Sequence, residues 1–386
     1  MGLGVLVGLG AWLSFSPQAG RACNVPVFRY ALERWTAYPY LAVVFHKGEM
    51  TAGQTNRINA LYDAIDEHYA NLEVEVVDLG QTNRQDFAAL WRKQGQVELP
   101  WVVLLAPDSD WDTPPVWAGP LDKLDVPRLV DSPARRDLVN RLMSGESAVW
   151  VLLESDRAAD NQKAWNRLTN TLPRVEADLQ LPPPLPDDPS LRVPLPLRVD
   201  FSLLRVKRTD PAEAMFVRTL LYGEPVLTNR ALLAQPLVIP VFGRGLALGV
   251  VPLEQLKESL IQEASAFLCG PCSCQVKELN PGKDLLLAAD WDRLYEADFT
   301  PPVTADAPGQ VASAPKPPKA APSPALAQKA TVAEPPASAP AASALATVDP
   351  APEAPRAASG RLWIWLGALA GGLVVVLAGA LWLRPR

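Results

Sequence analysis

The segment from Pro301 to Gly360 consists almost entirely of alanine, proline and small polar residues, and it contains no aromatic residue. A chain of this composition cannot bury enough apolar surface to offset the conformational entropy that folding costs. We therefore expect residues 301–360 to form a disordered tether, which would reach roughly 190 Å if it were extended at about 3.1 Å per residue. Folded structure is expected only before Pro301 or after Gly360.

After the tether, the run from Leu362 to Leu383 carries no charged residue and has tryptophans near both ends. A helix of this length, at 1.5 Å per residue, spans a hydrocarbon core about 30 Å thick. We therefore expect residues 361–386 to form a transmembrane anchor with a short cytoplasmic tail. Gly367 and Gly371 form a Gly-x-x-x-Gly pattern, through which two such helices can pair into a homodimer.

The N-terminal residues resemble an export signal. An apolar run from Gly2 to Phe15 is followed by small residues up to Ala22, so we expect a signal peptide over 1–22 that is cleaved before Cys23. Gly20 and Arg21 do not provide the usual aliphatic and small residues of a lipoprotein signal, so ordinary cleavage is favoured over lipidation of Cys23. The expected location is the bacterial inner membrane, single-pass, with the N-terminal domains in the periplasm.

Charge and composition exclude several function classes. The net charge of −6 is spread along the chain without a dense run of lysine or arginine, so we expect no nucleic-acid partner. The sequence shows no Ser/His/Asp set, no paired-carboxylate motif and no phosphate-binding loop, and it has only two histidines. We expect no cofactor and no dedicated metal site.

Apolar runs typical of buried strands alternate with amphipathic helical runs between Tyr40 and Leu179. This alternation predicts an α/β domain over 23–180, with a mostly parallel sheet covered by helices. Proline is dense over 181–196, where neither a helix nor a central strand can continue, so we expect a linker there. Residues 197–300 are expected to form a second, α+β domain, with a hairpin around Gly243–Gly245 and a helix from Pro252 to the cysteines.

A short repeat occurs in the first domain: Gly-Gln-Thr-Asn-Arg at 53–57 recurs at 80–84. Each copy directly precedes a predicted helix, and Thr82 with Gln85 fits a capping box, which is the simpler explanation. The functional alternative is an anion site, in which two helix N-termini act together with polar residues of the repeat. The residues of that candidate site are Thr55, Arg57, Thr82 and Arg84.

Three of the four cysteines lie within Cys269-Gly270-Pro271-Cys272-Ser273-Cys274. Three interpretations compete: structural disulfides in an oxidising compartment, thiol-disulfide exchange by Cys269 and Cys272 with Cys274 resolving, and capture of a soft metal ion. Because Cys269 ends a predicted helix, the partial negative charge there should raise the pKa of its thiol. Cys272 would be more reactive if Pro271 began a new helix with Lys277 or Lys283 nearby.

Two resemblances add to this interpretation. The stretch Cys23 to Trp35, CNVPVFRYALERW, resembles the mature start of a set of uncharacterised exported bacterial proteins, which implies no known activity. Cys-Gly-Pro-Cys is similar to the thioredoxin motif, and residues 37–142 resemble the thioredoxin fold in the order of their elements, with Pro100 matching the proline that enters the third strand. The thioredoxin resemblance would place active cysteines just after the first strand, but His46 to Asn56 contain none.

Taken together, the sequence predicts a membrane-tethered, extracytoplasmic binding or assembly protein that is not an enzyme and whose cysteines are structural. An envelope protein is the expected partner, in addition to the membrane itself. The alternative is a membrane-anchored thiol-disulfide oxidoreductase, or a soft-metal-binding protein, that uses Cys269, Cys272 and Cys274.

Overall fold

A computed structural model of the protein describes residues 24–81, 85–107, 109–110, 112–183, 191–272 and 276–302. The helices are α1 (Val27–Arg34), α2 (Ala52–Asp66), α3 (Gln85–Lys93), α4 (Val126–Val130), α5 (Pro133–Met143), α6 (Ala158–Asp178), α7 (Ala214–Leu221), α8 (Arg230–Leu233) and α9 (Glu258–Cys269). The strands are β1 (Tyr40–His46), β2 (Leu72–Asp78), β3 (Trp101–Leu105), β4 (Trp117–Pro120), β5 (Ala148–Glu154), β6 (Phe201–Lys207), β7 (Leu237–Phe242), β8 (Leu246–Ala247), β9 (Val251–Pro252) and β10 (Lys283–Asp284).

The first sheet has the strand order β2-β1-β3-β4. Strands β1 and β2 are parallel, with Tyr40 beside Leu72, whereas β3 runs antiparallel to both β1 and β4. The protein is therefore of the mixed α/β class, as predicted, but the prediction of a mostly parallel sheet is wrong.

The direction of β3 depends on the link that precedes it. Helix α3 has nine residues and rises by about 13 Å. The residues between Lys93 and Trp101 then carry the chain back to the end of the sheet where β1 and β2 finish, so β3 starts there and runs antiparallel to β1. The peptide bond between Leu99 and Pro100, at the entry to β3, is cis. The alternation of apolar runs that predicted these elements carries no information about the end from which a strand enters the sheet.

Both faces of the first sheet are covered. Alternate residues of β1 point to opposite sides, because successive side chains of a strand do so. Tyr40, Ala42 and Val44 pack with α2 and α4, while Val43 and Phe45 pack with Phe87 and Leu90 of α3.

The second sheet has the strand order β10-β8-β7-β5-β6, and β9 also pairs with β7. Strand β5 is parallel to β6, with Ala148 beside Phe201, and antiparallel to β7. The predicted linker 181–196 lies between β5 and β6 in the sequence, so the strands on its two sides share one sheet. Residues 184–190 of this linker lie outside the described part of the chain.

Strand β5 separates two hydrophobic clusters. Val149, Val151 and Leu153 face α5 and α7 on one side. Ala148, Trp150 and Leu152 face α1, α6 and α9 on the other side. All six side chains are fully buried, so β5 is covered on both faces.

Two element starts differ from the sequence predictions. The apolar alternation at Leu197 and Val199 predicts a strand from Leu197, but pairing with β5 begins at Phe201, and the two earlier residues pack half-buried against the cluster. The helix predicted from Pro252 begins instead at Glu258. Pro252 is held in β9, where it pairs with Leu237, and this pairing takes precedence over the helical spacing of the leucines that follow.

The predicted signal peptide, residues 303–360 of the predicted tether and the predicted anchor lie outside the described residues. Within the described part of the chain, no helix combines the length and apolar character needed to cross a membrane.

Candidate functional site

The cysteine segment begins at the C-terminal end of α9, under the face of β5 that carries Trp150. Cys269 is the last residue of the helix, as predicted, and both Cys269 and Cys272 are 1% exposed. Both pack in the hydrophobic cluster between α1, α6 and α9, and Cys269 is a free thiol. Cys23 and Cys274 lie outside the described residues.

The environment of Cys269 disfavours its ionised form. Burial raises the pKa of this thiol, the nearby carboxylate of Glu176 adds to the rise, and a hydrogen bond with Ser147 opposes it, which leaves a pKa of about 12. The helix C-terminus adds partial negative charge in the same direction. Because the thiolate is the nucleophile in disulfide exchange, Cys269 is a poor attacking group at neutral pH.

Cys272 does not lie at the start of a helix. Pro271 forms an isolated β-bridge with Pro26, and the backbone amide of Cys272 donates a hydrogen bond of 2.9 Å to the carbonyl of Val25. The sequence allowed a new helix to begin at Pro271, with a dipole that would favour a thiolate at Cys272. The pairing with Pro26 holds the backbone extended instead, so that interpretation is wrong.

The two lysines expected near Cys272 are engaged elsewhere. The ammonium group of Lys277 lies 2.7 and 2.8 Å from the carboxylate oxygens of Asp284, and 3.8 Å from the ring centre of Tyr38. That of Lys283 donates to the Leu220 carbonyl and to Glu224, at 2.8 and 2.7 Å. Both lysines therefore anchor the 277–284 segment to the rest of the fold.

The N-terminal segment is the main packing partner of the cysteines. Besides the contact between Val25 and Cys272, the amide of Val27 donates to the Gly270 carbonyl at 3.0 Å. Phe28 and Ala31, on the next turn of α1, are 1% and 0% exposed in the same cluster as the two thiols. The two segments are far apart in sequence, and no local pattern in either one indicates their pairing.

Helix α1 also holds the proline-rich segment through a buried ion pair. Arg29 donates to Glu33 at 2.6 Å and to the carbonyls of Val193 and Leu195 at 2.5 and 3.1 Å. Glu33 in turn accepts a hydrogen bond from the amide of Arg192 at 2.6 Å. Arg29 and Glu33 of the CNVPVFRYALERW stretch are thus part of the protein interior, a role that the sequence alone does not indicate.

The first copy of the Gly-Gln-Thr-Asn-Arg repeat lies inside helix α2 and not in a turn before it. The helix is capped earlier, by a capping box between Thr51 and Gln54. The Thr55 hydroxyl donates to the Thr51 carbonyl at 3.2 Å, and Arg57 donates to the Leu124 carbonyl at 3.2 Å. Thr82 and Arg84 lie outside the described residues, so the anion site stays a prediction.

A shallow depression of about 400 Å³ lies beside Arg57. Its charged lining residues carry both signs: Arg57 and Lys123 with Asp122 and Asp125. Such a surface has no clear preference for an anion, and Arg57 already donates to a backbone carbonyl.

The three thiolates of the cysteine cluster would suit a soft ion such as Cu(I), whereas zinc would need a fourth ligand, for which the sequence offers only His46, His68 or Cys23. The Nδ1 atom of His46 lies 2.9 Å from the Gly48 carbonyl. Among the described residues, no three side chains of histidine, cysteine, aspartate or glutamate are close enough together to hold a metal ion.

Comparison with known proteins adds no relative: no family model matches the chain, and no curated protein matches it.

Proposed function

We propose that this protein is a membrane-tethered, extracytoplasmic binding or assembly module whose cysteines are structural. In this proposal the signal peptide directs export, residues 301–360 tether the folded part, and the C-terminal helix anchors it in the bacterial inner membrane. An envelope protein is the partner, and the length of the tether allows the folded part to reach it away from the bilayer.

The observation that carries the non-catalytic role is the burial of Cys269 and Cys272. A redox-active cysteine has to be exposed to its substrate and readily ionised. Both thiols are 1% exposed, and the pKa of Cys269 is raised to about 12. These features suit core residues and oppose the alternative of a thiol-disulfide oxidoreductase.

We further propose that residues 37–142 are a redox-inactive, thioredoxin-like unit. Support comes from the order of β1, α2, β2, α3, β3 and β4 along the chain, with Pro100 directly before β3. The segment from His46 to Asn56, where the resemblance would place active cysteines, contains none. Such a unit would act through its surface.

Membrane fractionation and protease treatment of spheroplasts test the topology. The full chain should pellet with the membrane and be digested from the periplasmic side, whereas a chain truncated after Gly360 should be soluble in the periplasm. Protection of the folded part in intact spheroplasts would contradict the proposal.

In-cell photo-crosslinking tests the binding role. Probes placed one at a time at exposed apolar positions, such as Tyr69 and Leu279, which are 54% and 73% exposed, report on contacts in the envelope. A discrete adduct with one envelope protein from at least one probe is expected. The absence of any discrete adduct, together with mixed disulfides trapped by Cys272→Ser, would favour the oxidoreductase instead.

A further inference from the structure

The outer edge of β2 presents backbone groups that the first sheet does not pair. Strand β2 lies at one end of this sheet, and among the described strands it pairs with β1 alone, in a parallel register. The amide of Tyr40 donates to the Asn71 carbonyl at 2.9 Å. Because backbone groups alternate between the two edges of a strand, residue 71 and every second residue after it face β1. The N–H and C=O groups of Val74 and Val76 therefore point away from the sheet.

No group of the described residues forms a hydrogen bond with these outward groups of β2. The edge of β6 in the second sheet is closed instead. The Glu176 carboxylate accepts a hydrogen bond from the Phe201 amide at 2.6 Å. Arg141 donates to the Leu203 carbonyl of the same strand at 3.2 Å. Strand β4, at the other end of the first sheet, has four residues and ends at Pro120, which has no N–H. Proteins usually cap or shorten sheet edges in these ways, so the open edge of β2 indicates a place where another strand adds.

The two faces of β2 offer different side chains to an added strand. Val74 and Val76 are half-buried and pack on the α2 side of the sheet. Val77 packs with α3 on the opposite side, so Glu73 and Glu75 point to that side as well. The Glu73 side chain is exposed. Side chains directly across a strand pair interact, so the two valines suit apolar neighbours and Glu73 suits a lysine or an arginine.

We propose that the edge of β2 binds an extended segment of the envelope partner in which basic and apolar side chains alternate. The segment adds as a new strand, with its backbone paired to Val74 and Val76 and its apolar side chains beside these valines. A lysine or arginine of the segment lies opposite Glu73. The inference rests on the proposed binding role, for which it names the surface and the chemistry of the partner.

A second copy of this chain fits the edge less well. If two β2 strands pair antiparallel with Val74 opposite Val74, then Glu73 of each copy lies opposite Glu75 of the other. With Val74 opposite Val76, the two Glu75 side chains lie opposite each other. Carboxylates directly opposite on one face repel, so the edge favours a basic segment over self-association.

Amide hydrogen exchange of the full chain, purified in detergent, tests the edge residue by residue. The probe is a short acetylated peptide in which lysine and valine alternate. Without the peptide we expect slow exchange at the amides of Glu73 and Glu75, which face β1, and fast exchange at Val74 and Val76. With the peptide, exchange at Val74 and Val76 should slow by about tenfold or more. Protection of both valines in the free chain, or no slowing at peptide concentrations up to about 1 mM, would overturn the inference.

Two control peptides separate strand addition from simple charge attraction. N-methylation of the peptide amides keeps the positive charge but removes the hydrogen-bond donors. Replacement of each lysine by glutamate keeps the donors but reverses the charge. Neither control should protect Val74 and Val76. Equal protection by the N-methylated peptide would contradict strand addition, and equal protection by the glutamate peptide would contradict the basic partner.

Variants of the chain test the same two contributions. Glu73→Lys should weaken binding of the lysine peptide roughly fivefold, because repulsion replaces attraction. Glu67→Lys is the matched control, since Glu67 is exposed, lies outside β2 and changes the net charge equally, so little effect is expected.

Val74→Pro removes an outward N–H without removing a bond to β1, a change that edge strands tolerate. It should weaken the peptide roughly tenfold, whereas Val74→Thr keeps the N–H and should bind like the parent. Unchanged affinity in Glu73→Lys and Val74→Pro would overturn the inference. If Val74→Pro does not fold, Glu73→Lys and the N-methylated peptide still decide.

Crosslinking in cells separates this inference from the proposed binding role. If a probe at Tyr69 or Leu279 forms an envelope adduct that both Glu73→Lys and Val74→Pro leave unchanged, the edge inference fails and the binding role is retained. If the peptide protects the edge but no probe forms an envelope adduct, strand addition is supported and the envelope partner is refuted. An adduct between two copies of the chain that is lost in Val74→Pro would overturn the inference.

Discussion

Arg29 shows how a residue with no evident role in the sequence supports the fold. Its side chain and that of Glu33 are 2% and 0% exposed, so neither charge is compensated by water. Each is compensated by the other and by the backbone of residues 192–195. Removal of one partner would leave the other buried and unpaired, which is the costly case for buried ion pairs.

We expect Arg29→Ala to reduce the free energy of unfolding by about 3–5 kcal/mol, because Glu33 would then lie unpaired in the interior. Urea unfolding of the purified folded part measures the change. Arg136→Ala is the matched control, because Arg136 also forms an ion pair with a carboxylate, that of Asp131. The Arg136 side chain is 61% exposed, so a loss below about 1 kcal/mol is expected. Equal losses in the two variants would show that the Arg29 pair is not effectively buried.

Glu146 should make stability depend on pH. Burial is the main reason that the pKa of its carboxyl rises from an ordinary value of 4.5 to about 7, and the charges of Asp200 and Asp137 add to the rise. A hydrogen bond donated by the Ser202 hydroxyl and the charge of Arg141 lower the pKa in part. Between pH 4.5 and 7 the unfolded chain releases this proton while the folded chain retains it. The stability contribution is therefore complete below pH 4.5 and is lost as the pH rises through 7.

Glu146→Gln should remove this dependence, because the amide keeps a hydrogen-bonding group for Ser202 and does not ionise. The variant should gain stability relative to the parent between pH 4.5 and 8, by on the order of 3 kcal/mol. Unfolding of both proteins across this pH range gives the difference, in which the other titrating groups cancel. A difference that is constant with pH would contradict the raised pKa.

At the residue scale, the sequence predicts what is local. Gly270 and Pro271 indicate that a helix ends at Cys269, and the structure confirms this end. The burial of Arg29 and Glu33 could not be predicted, because their backbone partners lie more than 150 residues further along the chain. The pairing of Cys272 with Val25 could not be predicted for the same reason.

At the scale of elements, helix α1 and the hairpin between β7 and β8 depend on each other. Gly243, in the hairpin turn, has φ of +58°, and a Cβ atom added there would lie 2.6 Å from Cβ of Ala31 and 3.2 Å from its carbonyl carbon. Next to it, the Arg244 side chain donates to the Leu32 carbonyl at 2.9 Å. The turn therefore needs glycine both for its conformation and for the approach of α1.

Gly243→Ala should destabilise the folded part by more than the backbone conformation alone explains. Gly48→Ala is the control, because Gly48 has φ of +73° but no atom within 4 Å of an added Cβ. We expect a loss of about 1–2 kcal/mol for the control and a clearly larger loss for Gly243→Ala, measured by thermal or urea unfolding. Similar losses would mean that α1 moves away from the turn at little cost.

Apolar periodicity predicted most of the elements but not their pairing. The sequence predicts strands over 41–45, 73–79, 99–105 and 148–153 and a helix over 132–143. Strands β1, β2, β3 and β5 and helix α5 lie close to these positions. The direction of β3 and the start of β6 depend on which backbone groups pair across the sheet, and a single sequence does not encode this locally. The prediction that a helix begins directly after the repeat at 53–57 is wrong for a different reason. Thr51, two residues before the repeat, provides the cap of α2.

At the scale of the whole molecule, the proline-rich linker does not separate the two sheets. Strand β5 precedes it and β6 follows it, yet they pair over seven residues. The first sheet also contacts the C-terminal part of the described chain, where Ala70 bridges to Ala288 and Asn71 donates to the Leu285 carbonyl at 3.1 Å. Composition located the proline-rich segment, but it could not show that the chain returns to the same sheet.

The fragment 23–180 should therefore not fold as a stable unit, although the sequence predicts a domain there. Without β6 and β7, the apolar side chains of β5 would lose their neighbours on both edges. Amide hydrogen exchange should show no protection of β5 in the fragment and strong protection in a chain that extends to Thr300. Cooperative unfolding of the fragment with protected β5 amides would support the predicted domain boundary.

The most direct test of the structural role of the cysteines is a thiol-trapping titration of the full chain, with assignment of each cysteine by mass spectrometry. Buffers of defined potential between about −120 and −270 mV cover the range of catalytic thiol-disulfide couples. We expect that neither Cys269 nor Cys272 changes its redox state across this range. A couple between Cys269 and Cys272 that titrates within it would contradict the account and make the protein an oxidoreductase.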